Sequence, residues 1–100
     1  MEFVFELVRL SHGEWCYELY KVCDKCVIKV GILQGHKDGS SDDFKQCNRR
    51  RWEVSQDKSQ KIRSTRKRVP LISFYSVPQE IREKAQKYID VHKHEWVFAV

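Results

Sequence analysis

The sequence lacks both a membrane-spanning segment and a secretory signal. No apolar run approaches the roughly 18 residues that a transmembrane helix needs. The N-terminal residues (MEFVFELVRL) have an acidic residue near the start and lack the basic region and small-residue cleavage site of a signal peptide. We therefore expect a cytoplasmic protein with no membrane partner.

The sequence also lacks the common catalytic motifs. It contains no glycine-rich phosphate loop, no G-x-S-x-G, no H-E-x-x-H and no calcium-binding loop. This absence favours a non-enzymatic protein without excluding an enzyme, and we assign no catalytic residue and no cofactor.

Composition indicates an ordered globular chain. Hydrophobic residues make up 41% and charged residues 33% of the 100 residues, values typical of folded proteins. This length suits a single domain, covering residues 1–100. The twelve aromatic residues extend from Phe3 to Phe98, which predicts one core that draws on both ends of the chain.

The N-terminal third predicts three β-strands, at residues 3–10, 15–23 and 26–33. Short polar breaks separate them, and connections this short allow only antiparallel pairing, as in a meander. In the third strand, period-two alternation predicts that Cys26, Ile28, Val30 and Ile32 share one face.

The remainder predicts one main helix and further strands. Residues 34–43 form a polar loop, 44–52 a short helix, and 53–68 an exposed extension of that helix or a mobile loop. Strands are predicted at 69–75 and 95–100. Between them, a helix should begin at a Ser76/Gln79 capping box and extend to about His92. Its buried face should comprise Val77, Ile81, Ala85, Tyr88 and Ile89.

These elements predict an α+β fold. The expected architecture is an antiparallel sheet, made of the N-terminal meander and the C-terminal strands, with one C-terminal helix packed on it.

Positive charge is concentrated in residues 45–68. This basic segment contains ten Lys or Arg residues and two acids, an excess of +8, whereas the rest of the chain carries −3. Such clusters attract phosphate backbones, and Trp52 lies within the segment, where it could stack on an unpaired base. The predicted binding residues are Arg49, Arg50, Arg51, Trp52, Lys58, Lys61, Arg63, Arg66, Lys67 and Arg68.

Four cysteines allow a zinc hypothesis that we do not favour. Cys23 and Cys26 form a C-x-x-C pair, which His36 and Cys47 would complete as a ligand set. Strand-like residues flank the pair on both sides, however, so we interpret the two cysteines as reduced, packed side chains on a hairpin and predict no metal.

The preferred function is a non-enzymatic module that binds nucleic acid, or an acidic surface of a nucleic-acid-handling protein, through the basic segment. An accessory factor or inhibitor of the kind that phages encode has this profile. One alternative is a small ribonuclease resembling ribosome-dependent toxins, with His36 or His92 as acid–base candidates. The other is a zinc-stabilised protein-interaction domain.

Overall fold

A computed structural model describes residues 2–96 and shows an antiparallel sheet with one α-helix. The strands are β1 (Phe3–Arg9), β2 (Trp15–Val22), β3 (Cys26–Gly35), β4 (Arg51–Val54), β5 (Gln60–Ile62), β6 (Arg68–Pro70) and β7 (Ile72–Ser73), and the helix is α1 (Gln79–His92). The strand order is β6-β5-β4-β3-β2-β1-β7. Within residues 2–96, no helix has the length and apolar character that crossing a membrane requires.

The predicted N-terminal meander is confirmed, with a β-bulge that the alternation did not reveal. β1, β2 and β3 pair antiparallel, but the register shifts between Leu19 and Tyr20, so that Leu19 lies opposite Gly31 and Tyr20 opposite Lys29. Val30 is therefore the extra residue of a bulge, which moves the following residues to the other face. The prediction that Ile32 shares a face with Ile28 is wrong for this reason.

The predicted helix at residues 44–52 is wrong. Residues 44–50 are extended along β3, where Lys45 and Ile32 exchange two backbone hydrogen bonds of 2.8 and 3.0 Å. The buried Phe44 ring lies 6.2 Å from Phe5 and 5.9 Å from Tyr88. Pairing with β3 and burial of Phe44 thus replace the local helical hydrogen bonds, which is a tertiary effect.

The chain from residue 51 to 70 is a three-stranded extension of the sheet, made of β4, β5 and β6, and not a helix or a mobile loop. β4 pairs with β3, β5 with β4, and β6 with β5, all antiparallel. Each of its two turns places a cation in the left-handed region, with φ of 61° at Lys58 and 64° at Arg66. Non-glycine residues adopt this conformation at a cost.

The two edges of the sheet meet, so the sheet is nearly closed into a barrel. Only Leu71 separates β6, at one edge, from β7, at the other. Leu71 packs against a cluster of Val4, Tyr20 and Val27, and we call this side of the sheet the inner face. The single strand predicted for residues 69–75 is therefore wrong, since it divides between two edges and ends in a 3-10 turn at Phe74–Ser76.

The predicted C-terminal helix and its buried face are confirmed. Ile81, Ala85, Tyr88 and Ile89 of α1 are buried in the main core with Phe3, Phe5 and Tyr17, and so is Val77, which precedes the helix. The Tyr88 hydroxyl donates a 2.7 Å hydrogen bond to the Val30 carbonyl oxygen. A Cβ on Gly31 would lie 2.7 Å from the Tyr88 ring, so this approach requires glycine.

The start and the end of this region differ from prediction. The capping box is wrong, because Pro78 occupies the N-cap position and no side chain caps the helix. At the predicted strand 95–100, Glu95 belongs to a 3-10 turn and Trp96 is buried, and residues 97–100 lie outside the described residues.

Candidate nucleic-acid interface

The sheet extension presents most of its cations to solvent. Register places Arg51, Ile62 and Arg68 on the same side as Ile28, which is the side that α1 covers elsewhere in the sheet. Among the described residues, the buried core around α1 includes none from β4, β5 or β6. The extension therefore keeps this side uncovered. The exposed cations of the extension and of the two residues that precede it are Arg49, Arg50, Arg51, Arg63, Arg66, Lys67 and Arg68.

Four of these arginines surround one concavity, which we call the arginine depression. Its volume is about 390 Å³, and its lining is Arg50, Arg51, Trp52, Glu53, Ile62, Arg63, Ser64 and Arg66. The start of β4 supplies one side, and the end of β5 with the following turn supplies the other. The antiparallel pairing of Glu53 with Ile62 brings these two segments together.

The turn between β5 and β6 holds Arg63 and Arg66 at the rim. The Arg63 N–H donates to the Lys67 carbonyl oxygen and the Arg66 N–H to the Arg63 carbonyl oxygen, both at 2.8 Å. These bonds define a tight turn, so the two arginines are carried on ordered backbone. Guanidinium groups held in this way can engage phosphate bidentately.

Trp52 is partly buried among the protein's own side chains. The Lys61 ammonium lies 4.2 Å from the indole centroid, Arg50 Cζ 5.0 Å and the Lys29 ammonium 5.4 Å. The Tyr20 ring meets the indole edge-on at 5.6 Å. These contacts are cation–π and aromatic pairs within the chain, and they take up part of the ring surface that a stacked base would need.

Lys61 faces away from the depression and is buried. Its side chain is 4% exposed, and its ammonium makes a 2.6 Å ion pair with Glu6 Oε1. It also donates a 2.9 Å hydrogen bond to the Tyr20 hydroxyl. Although the sequence places Lys61 among the binding residues, the structure assigns its charge to an internal partner.

The internal polar network continues from Tyr20. Its hydroxyl lies 2.8 Å from Glu18 Oε1 and 3.2 Å from Glu6 Oε1, and Glu18 forms an ion pair with Lys29 at 3.2 Å. Burial, reinforced by the Glu18 and Glu6 carboxylates, raises the pKa of Tyr20 far above its ordinary value. The alternation of Glu18 and Tyr20 on one face of β2 was the only sequence signal for this network, and reading it required the partners on β1, β3 and β5.

The predicted cysteine hairpin is present, and the proposed zinc set does not assemble. The Cys23 N–H donates to the Cys26 carbonyl oxygen at 2.9 Å across a two-residue turn. Burial, together with the neighbouring Cys26, raises the pKa of the Cys23 thiol. Within residues 2–96, no three His, Cys, Asp or Glu side chains are grouped as metal ligands, so Cys47 and His36 do not complete a site with the pair.

The histidines proposed for acid–base chemistry have partners elsewhere. His36 Nε2 lies 3.2 Å from Asp42 Oδ1, and His92 Nδ1 lies 3.3 Å from Glu95 Oε2. The part of the chain that the structure describes contributes no histidine to the lining of the arginine depression. The geometry therefore provides no support for the ribonuclease alternative.

No protein-family model matches the chain, and no curated protein or solved structure shows significant similarity to it.

Proposed function

We propose that this protein is a non-enzymatic binding module that engages nucleic acid, or a complex that handles nucleic acid, through the arginine depression and the cations around it. The observation that supports this proposal most strongly is the convergence of Arg50, Arg51, Arg63 and Arg66 on one concave surface. The accessory factor or inhibitor role belongs to the same proposal.

Electrostatics favours a polyanionic partner for this surface. Four arginines and one acidic residue, Glu53, line the depression. Like charges around one concavity repel one another, and a bound anion relieves the repulsion. A nucleic acid gains further because each neutralised phosphate releases condensed counterions.

The position of the acids in the extension strengthens the argument. Asp57 is engaged by the neighbouring Ser55 and Ser59 hydroxyls, each at 2.7 Å, in the turn between β4 and β5. That turn follows the end of β4 away from Arg51, whereas Arg63 and Arg66 lie in the other turn. Glu53 is therefore the one acid of the basic segment beside the four arginines.

The test combines Arg51→Ala, Arg63→Ala and Arg66→Ala in one variant. Binding of a fluorescently labelled oligonucleotide is measured by anisotropy over a salt series of about 50 to 200 mM, where affinity reports phosphate contacts. We expect weaker binding and a salt slope that is lower by up to about three units. Far-UV circular dichroism should be unchanged, because the three side chains are exposed.

A matched control removes the same charge elsewhere. Arg9, Lys37 and Lys87 are exposed and lie outside the basic segment, so their triple alanine variant should largely keep the wild-type salt slope. Equal loss of affinity in both triple variants would show that net charge alone is responsible and would contradict the proposal.

A further inference from the structure

The arginine depression has the composition of a phosphate site, and its described lining offers one aromatic ring, which is partly buried. Its one aromatic residue is Trp52, which is packed among Lys61, Lys29, Arg50 and Tyr20. Proteins that depend on unpaired bases present open aromatic faces to them. The exposed aromatic Tyr75, 79% accessible, lines a different concavity, with Lys58 and Phe74.

The two turns of the extension provide a comparison within the molecule. Lys58 and Arg66 both have positive φ, at 61° and 64°, and glycine would adopt this conformation more readily than either residue. Arg66 lines the depression, whereas Lys58 does not. Both side chains therefore carry a similar conformational cost, but only Arg66 is positioned to contact an anion in the depression.

Resting on the proposed function, we infer that the arginine depression binds the phosphodiester backbone of nucleic acid independently of unpaired bases, and that Arg66 is one of its principal contacts. The partner is then recognised by its charge and backbone, so binding has little sequence preference. A duplex, with its higher charge density, is bound at least as tightly as a single strand. Arg50 packs over the Trp52 ring, and Trp52 does not contact bases.

The first experiment compares a labelled duplex with a single strand of the same sequence and length at several salt concentrations. We expect the duplex to bind at least as tightly as the single strand. We also expect that binding of the single strand does not quench tryptophan emission. Stacking contributes about 1–3 kcal/mol per base, or roughly 5- to 150-fold in affinity. A single-strand preference of about tenfold or more, accompanied by tryptophan quenching, would overturn the inference.

The second experiment compares Arg66→Gly with Lys58→Gly. Both variants relieve a positive φ, so their thermal midpoints should change similarly. Only Arg66→Gly should weaken duplex binding, with a salt slope lower by about one unit. Equal effects of the two variants on affinity would overturn the assignment of Arg66.

These results also separate the inference from the proposed function. If the wild-type protein binds neither duplex nor single strand at low salt, the proposed nucleic-acid function fails, and the inference with it. If it binds single strands and this binding quenches tryptophan emission, the proposed nucleic-acid function is supported. The inference that binding depends on the backbone alone then fails.

Discussion

Lys61 should be far more important for folding than any exposed cation of the basic segment, and Lys61→Met tests this. The substitution keeps an unbranched side chain of similar length but removes the ammonium that contacts Glu6 at 2.6 Å and Tyr20 at 2.9 Å. Glu6 is 13% exposed at its side chain, so its carboxylate would stay largely buried without its cation. Removing one partner of a buried ion pair typically costs about 3–5 kcal/mol.

That loss is a large fraction of the roughly 5–15 kcal/mol that stabilises an ordinary domain. Urea denaturation, followed by circular dichroism, should therefore show a much lower midpoint for Lys61→Met than for the wild type. The matched control is Lys67→Met, at an exposed position, which should change the unfolding free energy by no more than about 0.5 kcal/mol.

A second substitution identifies the cause. Glu6→Gln, added to Lys61→Met, removes the uncompensated carboxylate and should restore part of the lost stability, which a double-mutant cycle measures. An unfolding free energy of Lys61→Met within about 1 kcal/mol of the wild-type value would show that the ion pair contributes little. A double variant that loses the full sum of both single effects would show that the two residues do not interact.

Two further predictions concern the helix and the first turn of the extension. Ile81 lies on the buried face of α1 and is 4% exposed, so Ile81→Ala should lower the unfolding free energy by about 2–5 kcal/mol. Urea denaturation measures this change, and a loss below about 1 kcal/mol would contradict the helix packing. The Ser55 and Ser59 hydroxyls and the Ser59 N–H lower the pKa of Asp57 to about 2, and a carboxyl carbon NMR titration should find this value. Since the pKa of an unfolded aspartate is about 3.9, the stabilisation from Asp57 is present above that pH and is lost as the pH falls towards 2. Asp57→Ala should remove this dependence, and an ordinary titration midpoint would refute the turn geometry.

The internal network and the external depression use neighbouring cations in opposite ways. Residues 60–62 alternate across β5, so Lys61 points to the inner face while Ile62 lines the depression. Lys61 has carboxylate, hydroxyl and aromatic partners within the fold, whereas Arg63 and Arg66 lie at the solvent-facing rim. One three-residue strand thus anchors the extension on one side and contributes to the candidate binding surface on the other.

The sequence by itself determined the elements whose signals are local. The N-terminal meander followed from period-two apolar runs with short breaks, and α1 followed from the helical spacing of Val77, Ile81, Ala85, Tyr88 and Ile89. The concentration of cations in residues 45–68 was visible by counting, as was the absence of common catalytic motifs.

Only the tertiary structure decided the conformation of the basic segment. Its few apolar residues carry no clear periodicity, so the sequence predicted a short helix at 44–52 and left 53–68 open between an extension of that helix and a loop. Pairing with the edge of β3 instead made residues 51–70 three strands. The bulge at Val30 and the division of residues 68–73 between two edges likewise depend on strands distant in sequence. The burial of Lys61 likewise depends on a distant strand. A lysine in a basic segment is predicted to be exposed, and only the fold brings Glu6, 55 positions earlier, into contact with it. Long-range strand pairing determines the face on which each side chain lies. It therefore determines that the arginines of the extension are exposed to a partner, whereas Lys61 is buried within the fold.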